Sequence, residues 1–426
     1  MSATGQPAAL VGLTMINVTI VSNYANGFGG GVAASFADVD IKGVRCANNS
    51  VNALHSLDLG DGGCASFHFC ALRMDSVAML HNYAQGSAGA LHLEATGDLV
   101  APGQLDHVRL QGNSATTCGG FLAHDSAVQA NDITIFDGTA AVGGGGCLSE
   151  SSMSITGLSM RSNHALGDGG GGGFHVASST LRVVGNASYP VVMADLTAPA
   201  GSGGAVRASF GSNVLLSHFL VSNASALVSG GAVSTDSSTV TVEHGIVERC
   251  VAGGRGGGLD DVGSVVALSN MTWQHCSANK GGATVFSDAA SSVVRDSAYL
   301  DNNAAAFGGA MYLRNGNVQV ARTRFIGNAA EQGAGIHVEG VTHLKLTNTE
   351  FIDNVALPNN GGAVHADFES TVSVSPTVSY LGNVGGTVVM YDKCTLWVVC
   401  TCACLCLERG PAHIQCDAMK CDVRLW

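Results

Sequence analysis

The sequence predicts an all-β fold, a right-handed single-stranded parallel β-helix of about fourteen coils, and two recurrences carry that reading. A hydrophobic-x-x-Asn step returns all along the chain, and in most copies a Gly-Gly or Gly-Gly-Ala step follows five to seven residues later. The pair is clearest in Phe325 to Asn328 with QGAGI, Phe351 to Asn354 with NGGAV, and Tyr380 to Asn383 with VGG. Extended through the chain, the Asn position falls at Asn23, Asn49, Asn82, Asn113, Thr139, Asn163, Asp195, Asn223, Cys250, Cys276, Asn303, Asn328, Asn354 and Asn383. These fourteen copies span 360 residues, about 28 each.

Each copy contains the same parts in the same order. The stretch before the Asn is short and β-branched (NVTIVSN, TRFIGN), and the stretch after Gly-Gly alternates apolar with polar (GGAVRASF, GGAMYLRN), so both read as strands. Neither has the length or periodicity of a helix, and the Leu ladder of a leucine-rich repeat is absent. The corners between strands need a positive φ, which Gly tolerates freely and Asn better than other residues with side chains. An inward Asn can bond the corner backbone and its equivalents in the coils above and below, so the Asn column is expected to form a ladder. Thr139, Cys250 and Cys276 lack the amide, and the ladder is expected to be weakest at the two cysteines.

The interior is then a narrow column holding Val206, Val233, Leu259, Met311, Ile336 and Val364. Fourteen rungs at about 4.8 Å would span roughly 65 Å. Residues 1–390 read as this one repeat domain, and residues 391–426 as a cysteine-rich tail. The opening segment has no basic n-region and runs straight into the first repeat, so the chain reads as a fragment of a longer one, without signal peptide or cap.

Composition narrows the function. The net charge is −13, only 12% of residues are charged, and the 19 Lys and Arg are scattered singly, which argues against nucleic acid and anionic membranes. The most apolar stretch, Leu396 to Leu407, is too short to span a bilayer. The glycine runs Gly143 to Gly146 and Gly169 to Gly173 lack a following Gly-Lys-Ser/Thr and read as widened corners, not phosphate loops. Asn-x-Ser/Thr sequons begin at Asn17, Asn48, Asn186, Asn223 and Asn270, and an inward Asn223 would conflict with glycosylation there.

The Phe-x-x-Asn and Gly-Gly-Ala-(Ile/Val/Leu) motifs together resemble the repeat of the chlamydial polymorphic outer-membrane proteins, over Met15 to about Gly386. The resemblance implies a pectin-lyase-like β-helical passenger of the autotransporter type, displayed at the cell surface or outer membrane and acting as an adhesin. Carried over, the motif residues are Phe325 with Asn328 and Phe351 with Asn354; other copies put Ile20, Met79, Leu110, Met160, Val247, Trp273 or Leu300 in the Phe position. Where that family has a C-terminal barrel, this sequence has the cysteine-rich tail.

Seven cysteines lie in the repeats and seven crowd the tail, from Cys394 to Cys421. Cys250 and Cys276 share a slot on successive rungs at a spacing that suits either a disulfide or a reduced buried pair. In the tail, CTCACLC puts alternate thiols on one face, but a disulfide-bonded cap is the simpler reading, and no metal or cofactor is assigned. On the strand after Gly-Gly, Val364 and Ala366 point inward, so His365 and Asp367 point out, with His337 and Glu339 one rung earlier, Tyr312 and Arg314 before them, and an echo at His92 and Glu94. His337, Glu339, His365, Asp367, Tyr312 and Arg314 are the candidate binding set, expected on a solvated face. No catalytic residue is assigned, and the adjacent Asp260 and Asp261 read as turn-capping.

The leading expectation is a non-catalytic surface or secreted β-helix that binds glycans or host or neighbour-cell surface proteins. A polysaccharide lyase or glycoside hydrolase on the same fold is the alternative, and a structural spacer the third. The longest interruptions of the period, Asn49 to Asn82 and Asn163 to Asp195, are where a ligand is expected to touch.

Overall fold

One coil shows how the chain winds. The strand Thr239–Glu248 bends at His244 and ends at Arg249, both with φ near +53°, and Cys250 then turns into the interior. The short strand Val251–Ala252 follows, the chain turns at Gly256-Gly257-Gly258, and Leu259–Val262 runs on to the positive-φ Gly263, after which the next coil begins at Val265. Repetition of this path gives a parallel β-helix of about fourteen turns, with sheets of 22, 11 and 16 strands among the described residues. The computed structural model describes residues 11–52, 60–97, 101–186, 188–289, 291–391, 394–398, 413–414 and 423–425, and no helix occurs among them. The expected tail cysteines from Cys400 onward lie outside the described residues. Thr395–Val398 pairs in register with Thr371–Val374, so stacking continues past residue 390.

The apolar column runs as the alternation predicts. Val206, Val233 and Leu259 stack in register, Thr284 interrupts, and Met311, Ile336 and Val364 resume, all with almost no exposure. The Phe position of the repeat forms a second column. Trp273, Tyr299, Phe325, Phe351 and Tyr380 stack with ring centroids 6.2, 4.9, 4.9 and 5.5 Å apart. Tyr299, not Leu300, fills the slot, because Tyr299 pairs with Trp273 and Phe325.

Gly-Gly has two separate causes. Gly281 needs its positive φ of 61°. Gly282 needs the absence of a Cβ, which would sit 2.1 Å from the carbonyl oxygen of Gly309 in the next coil.

The Asn ladder exists, with a shifted membership. Asn328 donates from its backbone N and its Nδ2 to Asn354 Oδ1, at 3.1 and 2.9 Å, and from Nδ2 to the carbonyl of Tyr299 at 3.0 Å. Equivalent bonds link Asn23 to Asn49, Asn49 to Asn82, Asn82 to Asn113, Asn302 to Asn328 and Asn354 to Asn383. Asn302 is therefore the ladder residue, and Asn303 is exposed at the start of a strand. The slot is likewise Gly138, not Thr139, and accepts no side chain; Gly138 N donates to Asn163 Oδ1. Asn223 and Asp195 occupy exposed positive-φ corners, and the buried slots beside them are Ala224 and Leu196. The physical reason is that a corner holds two consecutive special positions, a left-handed exposed one and a buried one, and Asn suits both. The ladder is thus interrupted from Leu196 through Cys276, beginning two coils before the cysteines.

A hydroxyl ladder at the following corner accompanies it. Thr96 N donates to Ser126 Oγ, Ser126 N to Ser151 Oγ, Ser151 N to Ser179 Oγ and Ser179 N to Ser212 Oγ.

Cys250 and Cys276 form no disulfide with each other; both are buried free thiols, and burial, then the hydrogen bond with Cys276, pushes the Cys250 thiol well up. The disulfides among the described residues are Cys46–Cys64, joining two walls of one coil, and Cys118–Cys147, joining neighbouring coils. Asp261 accepts from Ser264 N at 3.1 Å and Thr235 Oγ1 at 2.9 Å, the turn-capping role expected, whereas Asp260 pairs with Arg255 at 3.1 Å.

Candidate functional site

The outer face of the sixteen-stranded sheet collects the chemistry, because each of its strands follows a Gly-Gly corner and alternates one residue in, one out. Tyr312, His337 and His365 stand in register on successive coils, with Arg314 and Glu339 two residues further along. The rings stack: Tyr312 to His337 at 5.5 Å and His337 to His365 at 5.0 Å, nearly coplanar in orientation. Tyr312 donates to Glu339, His365 Nε2 lies 2.9 Å from Asp367 Oδ2, and His337 Nε2 lies 4.0 Å from the same oxygen.

Five of the six residues picked from the sequence therefore meet; Arg314 stays exposed beside Glu339. The expected solvated face is the correction. His337 is only 1% exposed and His365 2%, because Phe307 packs on His337 at 4.8 Å, Tyr391 on His365 at 5.3 Å, and Lys280 lies over the Phe307 and Tyr312 rings. Burial, with His365 adding to it, drives the His337 imidazole down to about 3 against the opposing pull of Asp367, so it is neutral at ordinary pH. Burial and the Glu339 carboxylate raise the Tyr312 phenol.

A second cluster sits on the same face near the other end. His68 Nδ1 lies 2.9 Å from Glu94, and Ser66 Oγ bridges His68 Nε2 at 2.8 Å and His92 Nδ1 at 3.1 Å. Burial, then the neighbouring His68, lowers His92 to about 3. An open cleft of about 370 Å³ joins His68 and Glu94 to Phe28, Phe36 and Phe69. Phe36 and Phe69 are 63% and 50% exposed, have φ of 54° and 55°, and stack 4.9 Å apart with planes 2° from parallel. Bulky side chains in that backbone region are strained and rare, and their place at successive corners makes a flat aromatic shelf.

Of this cluster only His92 and Glu94 were legible in the residue pattern. His68, Phe36 and Phe69 were missed, although Phe in the last place before the next strand in two consecutive copies (ASFADVD, FHFCALR) was a readable signal. A larger cleft, about 520 Å³, borders Gly185 and Asn186 in the long interruption after Asn163, with Arg182, His218 and Glu243 on its walls.

No protein-family model matches the chain, and neither does any curated protein sequence. No helix among the described residues is long and apolar enough to cross a membrane.

Proposed function

We propose that this β-helix is a non-catalytic binding protein, secreted or displayed at a cell surface, which holds glycan on the shelf formed by Phe36 and Phe69. The observation that carries the reading is the parallel, exposed ring pair beside a cleft with His68 and Glu94 at hydrogen-bonding distance of each other. A flat aromatic surface packs against the apolar face of a sugar ring, and a few fixed polar groups beside it orient the hydroxyls. Two disulfides suit an oxidising compartment. All five sequon asparagines are exposed, Asn223 included, since it stands at a corner and not in the ladder.

A glycan array tests this with wild type and the double variant F36S/F69S. Retention of a sugar by wild type and its loss in the variant is the expected result; equal retention by both, or none by wild type, overturns it.

A second reading, polysaccharide cleavage at the same cleft, draws on Asp61. Burial raises its acid against the hydrogen bond from Ser87 and the neighbouring His68, and the nearby Glu94 adds to the rise, as a general acid requires. It requires new reducing ends or unsaturated sugar to appear when a retained glycan is incubated with the protein.

A further inference from the structure

We propose that His337, His365 and Asp367 form a binding site for a divalent transition-metal ion of the zinc, cobalt or nickel class. The site is separate from the aromatic shelf and does not depend on it. One ligand atom from each residue lies within 4.8 Å of the other two. Two imidazoles and a carboxylate are a donor set that such ions accept, with remaining positions left to water.

The second observation is an orphaned group. Neither ring nitrogen of His337 makes a hydrogen bond, and the Nδ1 atoms of both His337 and His365 are buried without a partner. No hydrogen bond at Nδ1 fixes the tautomer of either ring, so Nδ1 of each can carry the ring proton and leave the Nε2 lone pair for a metal. The Nε2 atoms are the ones that face Asp367, at 2.9 Å for His365 and 4.0 Å for His337. Metal bonds to imidazole are about 2.0–2.1 Å, so His337 must tilt toward the carboxylate, and it has no hydrogen bond to break in doing so. Phe307, Tyr312 and Tyr391 hold the two rings from the sides, while Asp367 leaves a way in from solvent.

The His68–His92–Glu94 cluster has similar composition but differs where it matters. Both nitrogens of His68 and the Nδ1 of His92 are already bonded to Glu94 or Ser66. The inference is therefore confined to the cluster at His337. The Lys280 ammonium acts on His337 and opposes a cation there, so Lys280→Met is expected to tighten binding.

Cobalt(II) titration of the full chain, followed by absorption spectroscopy, separates this site from the fourteen cysteines, because a thiolate site adds a ligand-to-metal charge-transfer band and an imidazole–carboxylate site does not. The expected result is a visible ligand-field band without charge transfer, weakened more than about 100-fold in affinity by Asp367→Asn and by His337→Phe, and untouched by His92→Phe. His337→Phe keeps a ring in the stack, and Asp367→Asn carries the test if that variant fails to fold. No uptake, a thiolate spectrum alone, or binding unchanged in Asp367→Asn overturns the proposal.

Discussion

Asp261 is an acid built into the interior. It follows Leu259 by two residues on the inward face, stacks between Thr235 and Phe286, and has one carboxylate oxygen without a partner. Burial raises it from 3.8 to about 6 despite the bonds from Ser264 and Thr235. Folding therefore takes up a proton between about pH 4 and 6, and stability from this group falls as pH rises through that window. Asp261→Asn keeps an acceptor for Ser264 N and removes the buried charge. It is expected to be more stable than wild type at pH 7 by about 2 kcal/mol, with the advantage gone at pH 4. Urea melts of both proteins at the two pH values check this, and an equal advantage at pH 4 would refute it. The difference between the two proteins is the quantity to read, since His175, lowered to about 4 by burial and Arg207, favours the fold in the opposite direction as pH rises.

At the scale of the element, the ladder decides how firmly one coil is held to the next. Cys276 N already donates to Asn302 Oδ1 at 3.0 Å, and its Sγ makes only long, weak thiol contacts, to the Gln274 carbonyl at 3.5 Å and the Val247 carbonyl at 3.7 Å. An amide there would find both its partners in place, as Asn302 finds Trp273 O and Asn328 Oδ1. Cys276→Asn is accordingly expected to raise stability by about 1 kcal/mol, whereas Asn328→Ala, which strands the Asn302 N and the Tyr299 carbonyl, is expected to cost about 3 kcal/mol. Thermal melts of the two variants check both signs. The strands, the Gly-Gly corners and the inward column were legible because a period of two and a strict steric demand leave marks in residue type. Which of two adjacent corner residues turns inward was not, because Asn223 and Asn302 satisfy different demands with the same side chain. The outward His column was legible for the same reason as the strands. Its burial was not, since Phe307, Lys280 and Tyr391 reach it from other coils.

Taken whole, the molecule is held unevenly along its length. Among the described residues both disulfides lie in the early coils, bonding residues 18 and 29 apart in sequence, and each is worth roughly 3 kcal/mol in the chain-entropy account. Because each coil touches only its neighbours, reduction is expected to speed amide exchange in residues 32–149 and leave the strands from Val265 to Thr347 unchanged. Exchange measured by mass spectrometry with and without reductant checks this, and a uniform rise along the chain would refute it. The register that pairs each coil with the next also aligns the inter-coil hydrogen bonds with the long axis. Tension applied at one end loads a single rung at a time, so the chain peels away coil by coil. Each coil of 26 residues in the Asn302 to Asn354 region would release roughly 90 Å of slack, which makes a body anchored at one end and gripped at the other yield gradually under flow before it lets go.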